Sequence, residues 1–330
     1  MAGSVPMGIK KRDLSRMYSL IKEKDSAVVL SHQNPDGDAI GSTLGLGLML
    51  RSAGLNVQAA WPDPIELPLK YEFMPGKEML TGPGELRFDG LVIAVDCANA
   101  GRLGELEDAV LEAPAVINID HHPDNTFFGS VDIVDPAASA TAEILYKAAG
   151  ELGLEVDRDI AVCLYTGIVT DTGRFQFSNT SAGTLQVAAE LVELGAEPNR
   201  LYEEVYQGDS LSYMRLTGEL ISKAVFEPET GLVYVFMSQE ELRRFGVKMN
   251  ETEDLIDALR TLRGHRIAVL FKELDNGKIR ISLRSRADTD IGTVARRLGG
   301  GGHRVAAGYT SLKGSFEEAL EELKGEIVAP

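Results

Sequence analysis

Short apolar runs alternate with helical periodicities along the first half of the chain. A polar stretch with helical spacing at 13–24 leads into Ala-Val-Val-Leu-Ser at 27–31, short and apolar enough for a buried strand. A turn rich in Pro, Gly and Asp follows, then a helix over 38–53 with small residues at Gly41, Gly45 and Gly47. Residues 56–60 read as a second strand, and a crossover runs through Pro62, Pro64, Pro68 and Pro75. Residues 91–95 and 115–119 read as two further strands, and 139–152, 157–169 and 181–194 as helices. This alternation predicts an α/β architecture, a parallel sheet with helices on both faces.

The period changes in the second half. Residues 197–222 read as one or two helices, with the domain junction near their end. Beyond it, 232–237, 266–274 and 278–283 read as strands, with Asn276-Gly277 as a hairpin turn between the last two. Helices at 251–262, 291–298 and 315–324 complete a smaller α+β domain. A chain of 330 residues suits two domains better than one core. The expected division is 1–200, a helical linker 201–224, and 225–330. There is no internal repeat or low-complexity segment.

Composition narrows the function classes. Hydrophobic residues make up 44% and charged residues 25%, as in an ordinary globular protein. The longest apolar run, 44–50, is interrupted by Gly45 and Gly47 and followed by Arg51, so no membrane span is expected. Lys10, Lys11 and Arg12 precede no apolar segment, which argues against a secretory signal. Cys97 and Cys163 cannot build a disulfide framework or a four-sulfur zinc site, a usage that fits a cytoplasmic location. The net charge of −17 argues against grip on long duplex nucleic acid but leaves room for a short nucleotide held by metals and a few arginines. Charge is uneven: residues 260–304 hold 11 Lys/Arg against 4 Asp/Glu.

The five histidines are His32, His121, His122, His265 and His303. His32 lies in Ser31-His-Gln-Asn-Pro-Asp-Gly-Asp38 after the first expected strand. Asp96 follows the strand at 91–95, and Asp120-His-His122 follows the one at 115–119. An open parallel sheet places its ligands at such strand ends. A fourth candidate is Asp171, in Thr166-Gly-Ile-Val-Thr-Asp-Thr-Gly173. Taken singly each feature has a plain explanation: Asp38 or Asp171 as a helix cap, Asp-Gly-Asp as a turn. What outweighs these is coincidence, because three successive strand ends deliver imidazole or carboxylate to one rim. Packed carboxylates repel one another unless cations neutralise them. Oxygen-rich ligands with one imidazole per metal suit Mn²⁺ best, then Mg²⁺, Co²⁺ or Fe²⁺. Gly37 would allow a sharp turn that aims Asp36 and Asp38 at two ions. Two ions about 3.5–4 Å apart would hold a bridging hydroxide for metal-assisted phosphate ester hydrolysis.

These motifs resemble the DHH phosphoesterase superfamily, named for the triplet that stands here as Asp120-His121-His122. His32 to Ser42 looks like its first motif, Val95-Asp96 its second and Thr170-Asp171 its fourth. Gly299-Gly-Gly-Gly-His303-Arg-Val-Ala-Ala-Gly308 resembles the signature of the DHH-associated C-terminal domain. Together they resemble the two-domain nanoRNase/pAp phosphatase branch. The resemblance implies two lobes across a cleft and two Mn²⁺, with Mg²⁺ or Co²⁺ as substitutes. It implies His32, Asp36 and Asp96 on one ion, and Asp38, Asp96, His121 and Asp171 on the other. His122 would contact the scissile phosphate, and Asp120 would orient a histidine ligand. Arg284, Gly301, Gly302 and His303 would bind substrate. Of Arg284 and Arg286, strand alternation lets only one face the ligand, and Arg284 is the choice. Arg296 and Arg297 read as a solvated helix end. The implied substrates are short single-stranded RNA or dinucleotides and pAp, and the family often forms homodimers.

Other readings rank lower. A cyclic di-AMP/pApA phosphodiesterase shares both domains and is the main rival. A manganese pyrophosphatase is not expected to carry the glycine-rich motif, and a RecJ-type exonuclease would be longer. A nucleotide-binding regulator without turnover conflicts with the complete ligand set. No Gly-x-Ser-x-Gly elbow and no P-loop is present.

Overall fold

The computed structural model describes residues 9–252, 254–286 and 289–328. The chain divides into two compact units between Gly208 and Asp209.

The first unit comprises, in order, α1 (Lys11–Glu23), β1 (Ser26–Leu30), α2 (Gly37–Ser52), β2 (Asn56–Ala60), β3 (Leu91–Val95), α3 (Glu107–Leu111), β4 (Val116–Asp120), β5 (Val131–Val134), α4 (Thr141–Ala149), α5 (Arg158–Asp171), α6 (Ala182–Glu193) and α7 (Pro198–Tyr206). All five strands are parallel, in the order β2-β1-β3-β4-β5. Alternate residues of each strand enter different cores, as the two-residue period of a strand requires. Ala27, Val29, Leu91, Ile93 and Val95 join the core under α1, α2, α4, α5 and α6. Val28, Leu30, Val92 and Ala94 meet Leu103, Leu106 and Val110 on the opposite face. Strands covered on both faces read as continuous apolar runs, which is why β1, β3 and β4 are visible in the sequence. The edge strand β5 is a four-residue segment without such a run and is not predicted.

The second unit holds α8 (Leu211–Lys223), β6 (Val225–Glu227), β7 (Leu232–Met237), α9 (Gln239–Phe245), α10 (Leu255–Arg260), β8 (Ile267–Glu273), β9 (Ile279–Ser285), α11 (Ile291–Arg297), β10 (Gly301–His303), β11 (Ala306–Ser311) and α12 (Phe316–Val328). Its sheet runs β10-β11-β9-β8-β7-β6, antiparallel except for β7 with β8. Phe271, Ile281 and Leu283 pack with Ile291 and Leu323 on one face, while Ala268 and Leu270 pack with Leu216, Leu220 and Leu259 on the other. The β8–β9 hairpin closes through Leu274 N–H to Lys278 O at 2.8 Å, with Gly277 in the left-handed region at φ 75°.

The glycine run at 299–302 is not the loop that composition alone implies. Part of it is strand β10, paired with β11. A Cβ on Gly300 would lie 2.1 Å from the carbonyl oxygen of Gly308, so a side chain there has no room. Among the described residues no helix is long and apolar enough to cross a membrane.

Candidate metal centre

β1, β3 and β4 are adjacent, and their carboxyl ends deliver His32, Asp96, and Asp120 with His121 and His122. The order 2-1-3-4-5 reverses between β1 and β3, and a doubly wound sheet opens its ligand crevice at that switch point. Two helices complete the rim. α2 begins at Gly37 beside Asp36 and Asp38, and α5 ends on Asp171. The two helices approach closely because glycine faces the contact. A Cβ on Gly37 would stand 2.4 Å from Thr170 Oγ1, and one on Gly41 would stand 2.5 Å from Cys163 O. Gly37 is therefore needed for this contact. The sharp turn expected of it is not found, because it is a helical residue and has no left-handed φ.

The cap of α2 is Asp36, where the sequence had pointed to Asp38. Its Oδ1 accepts from the backbone N–H groups of Asp38 and Ala39, both at 3.0 Å. Asp38, two residues on in the first turn, is buried. Its Oδ1 accepts from Ser42 Oγ at 3.1 Å and Ala142 N at 3.0 Å, and its Oδ2 accepts from Thr141 N at 2.7 Å. Those two amides open α4, so a helix N-terminus faces this carboxylate with its favourable dipole. Asp171 is the last residue of α5 and not an N-cap, so its carboxylate sits against the dipole.

The donors converge closely. His121 Nε2 lies 3.5 Å from Asp96 Oδ1, 3.6 Å from Asp171 Oδ2 and 3.9 Å from Asp38 Oδ2. His32 Nε2 lies 3.7 Å from Asp96 Oδ2. The His32 Nδ1 is 2.8 Å from Gln33 O, a contact that orients the ring with Nε2 toward Asp96. Two trios, His32–Asp36–Asp96 and Asp96–His121–His122, have donor atoms within 4.8 Å of one another, and Asp96 belongs to both. Asp96 adopts a left-handed φ of 53°, uncommon outside glycine but tolerated by aspartate.

Asp120 serves His122, whereas the sequence had it orienting a histidine ligand. Its Oδ1 lies 2.7 Å from His122 Nδ1, and its Oδ2 accepts from Asn125 Nδ2 at 2.7 Å. The same His122 Nδ1 lies 3.6 Å from Asp96 Oδ1. Asn125 also donates to Asn118 Oδ1 at 2.8 Å, and Asn118 donates to Cys97 O at 3.0 Å, so this pair braces the turn that carries Asp96. Thr141 Oγ1 donates to Asp96 Oδ1 at 3.1 Å. Asn179 Nδ2 donates to Ser139 O, Asp171 O and Asp171 Oδ2 at 2.9, 3.1 and 3.4 Å. The sequence reading missed all four. Only Asn118 left a signal, as a polar residue inside the apolar run Val116–Asp120.

Electrostatics test whether cations belong here. Burial, then the charges of Asp96, Asp171 and Asp36, raises the Asp38 carboxyl well above its ordinary range, against the Ala142 hydrogen bond. Burial likewise raises Asp171 to about 7; His121 opposes this, while Asp36 and Asp96 add to it. Burial would raise Asp96 too, but the His32 hydrogen bond and the charges of His122, His121 and His32 outweigh it and hold it low. Burial favours a neutral His122, yet the Asp120 hydrogen bond and the charges of Asp120, Asp96 and Asp171 raise it to about 10. Buried carboxylates that raise one another, set beside imidazole nitrogens, are the donor set of a divalent cation site. Burial pushes the Cys97 thiol up to about 12, so it is no nucleophile.

In the second unit, Arg280, Ser282 and Arg284 alternate with the buried Ile279, Ile281, Leu283 and Ser285. Arg284 pairs with Ala306, which pairs with His303 in the same row of the sheet. Gly301 pairs with Gly308 and Gly302 with Ala307, and a Cβ on Gly301 would meet nothing within 4 Å. Arg286 lies beyond β9 and is exposed. Arg296 and Arg297 are exposed in the last turn of α11, the solvated helix end that was expected, and Arg296 Nη1 donates to Gly302 O at 3.4 Å. The side chain of His303 lies outside the described residues.

Residues 26–168 match the DHH family, N-terminal domain, and residues 229–329 match the DHHA1 domain. Over 309 residues the chain is 35% identical to the "Bifunctional oligoribonuclease and PAP phosphatase NrnA" of Thermus thermophilus, spanning 91% of this chain and 89% of that relative. The chain belongs to the DHH family. A second DHH relative of the same printed name, from Bacillus subtilis, is 32% identical over 94% of this chain and 95% of its own. Among solved structures, an exopolyphosphatase-related protein from Bacteroides fragilis superimposes with a TM-score of 0.89 at 26% identity, covering 98% of this chain and 97% of that one.

Proposed function

We propose that the chain is a metal-dependent phosphoesterase that hydrolyses very short single-stranded oligoribonucleotides to mononucleotides and 3′-phosphoadenosine 5′-phosphate to AMP. One observation carries this reading. Asp36, Asp38, Asp96, Asp171, His32 and His121 gather at one sheet rim, in a chain that aligns nearly end to end with oligoribonuclease and PAP phosphatases. The donor chemistry favours two Mn²⁺, with Mg²⁺ or Co²⁺ as substitutes. His32, Asp36 and Asp96 would hold one ion, and Asp96, Asp38, His121 and Asp171 the other. Ions held there supply Lewis acidity toward a phosphoryl oxygen and lower the pKa of water.

The protein's own groups do the rest. His122, kept protonated by Asp120, presents positive charge to the scissile phosphate and a proton for the leaving oxygen at Nε2. Cations among Asp96 and Asp171 would remove part of the field that holds this proton, but the Asp120 bond remains. Arg284, whose Nη1 donates to Leu283 O, would offer its remaining guanidinium donors to the substrate's other phosphate, and Gly301 and Gly302 would offer backbone free of side chains. Cytoplasmic location and a homodimer belong to the same proposal, the first from cysteine usage and the second from the family resemblance. The test is Asp96→Ala. The expected result is no hydrolysis of pAp with Mn²⁺ and loss of bound metal at unchanged secondary structure. Near-normal rates would overturn the bridging assignment.

A further inference from the structure

We propose that Asn179 is a positioning residue that sets the spacing of one of the two metal sites, by fastening Asp171 to the segment that holds Asp38. The inference rests on the two-ion reading above. Asn179 Nδ2 faces three acceptors, Ser139 O at 2.9 Å, Asp171 O at 3.1 Å and Asp171 Oδ2 at 3.4 Å. The opposite orientation of the amide would turn its oxygen toward all three, so the hydrogen-bond pattern fixes which end points where.

The segment it grips is itself anchored. Ser139 N and Oγ donate to Glu143 Oε2 at 3.0 and 2.5 Å, and Thr184 Oγ1 donates to the same oxygen at 2.9 Å. Lys147 pairs with the other oxygen of the buried Glu143. Two residues beyond Ser139, Thr141 N and Ala142 N hold both oxygens of Asp38, and Thr141 Oγ1 holds Asp96. Asn179 ties this frame to the end of α5. Asp38 and Asp171, which meet at His121 Nε2, are thus joined through one side chain.

The chain makes an unusual excursion to place it. Gly173, Arg174 and Phe175 are consecutive left-handed residues, with φ of 54°, 64° and 63°. Two of them carry side chains, and such a run persists only where its surroundings over-determine it. Gln176 N and Phe177 N both return to Thr172 O at 3.0 Å, and the Arg174 guanidinium lies 4.8 Å from the centroid of the Tyr206 ring. The result folds Asn179 back onto Asp171, eight residues earlier.

The test is calorimetric titration of Mn²⁺ into chelator-stripped full-length protein, for wild type, Asn179→Ala and Asn179→Leu. The leucine variant removes the donor at similar volume and adds no new ligand. The melting temperature of each stripped protein checks folding. Wild type is expected to show two binding events. The variants are expected to weaken one of them about 10–100-fold, as loss of a ligand's hydrogen-bond partner does, and to leave the other unchanged. The Mn²⁺ concentration for half-maximal activity should rise by the same factor, with kcat recovered at saturating Mn²⁺. Two wild-type events that either folded variant reproduces, or that weaken equally, overturn the role of Asn179 and leave the two-ion reading standing. A wild type that binds a single ion overturns that reading and the inference with it.

Discussion

Replacing Gly37 by alanine probes the contact that brings the candidate ligands of two helices together. The new Cβ would lie 2.4 Å from Thr170 Oγ1, 2.5 Å from Cγ2 and 2.7 Å from Cβ, where ordinary contact begins at 3.4 Å. α2 and α5 must therefore separate by about 1 Å, and overpacking of this kind costs about 1–3 kcal/mol. Alanine's better helix propensity returns less than about 1 kcal/mol. The net loss is then about 1–2 kcal/mol, and at about 2–4 °C per kcal/mol for a unit of this size the melting temperature should fall by about 2–8 °C. The effect on chemistry is larger. Gly37 sits between Asp36 and Asp38, and Thr170 precedes Asp171, so the separation passes directly into ligand spacing. A misplacement of about 1 Å can cost about 10²-fold in rate. Thermal melting, and kcat on pAp at saturating Mn²⁺, measure both. Thr170→Ala removes the two nearest atoms, so the double variant should be less impaired than additivity predicts, by at least about 0.5 kcal/mol. Wild-type stability and turnover in Gly37→Ala, or strict additivity with Thr170→Ala, would refute the packing argument.

Arg284→Ala should raise KM for a two-phosphate substrate more than it lowers kcat, and a loss confined to kcat would contradict a binding role. Asp120→Asn removes the negative charge that helps keep His122 protonated up to about pH 10 and leaves only a neutral acceptor for its Nδ1–H. The alkaline limb of its kcat–pH profile should move to lower pH, and an unmoved limb contradicts the assignment. The same raised histidine contributes stability that is full below about pH 6.5 and is lost as pH rises through its folded value, so Asp120→Asn should show less of it. In chelator, the raised Asp171 and Asp38 make the folded state take up protons as pH falls through about 7. The stripped protein should melt higher at about pH 6 than at about pH 8, and Mn²⁺ should reverse that order. Equal melting with and without Mn²⁺ would refute a cation-dependent acid cluster.

The acids and histidines at the strand ends were legible because each follows an apolar run buried on both faces, so the end of the run marks the rim. The distribution of roles among them was not. Whether Asp36 or Asp38 caps α2 depends on which carboxylate meets the amides of Thr141 and Ala142, more than 100 residues away. Gly37 looked like a turn residue because a sequence does not show that Thr170 lies across from it. β10 and β11 escaped for a related reason. Glycines carry no polarity pattern, and pairing with β9 makes the strand. Asn179 and Thr141 are ordinary polar residues in sequence and acquire meaning only from their partners.

The most direct test of the central claim is product analysis after stripping the protein with chelator and restoring Mn²⁺. pAp, 5′-labelled RNAs from dimer to pentamer, pApA and cyclic di-AMP would be offered in parallel. The account predicts AMP from pAp and mononucleotides from the short RNAs, with cyclic di-AMP intact. Preferential opening of cyclic di-AMP, or no turnover of any substrate with Mn²⁺, Mg²⁺ or Co²⁺, would contradict it.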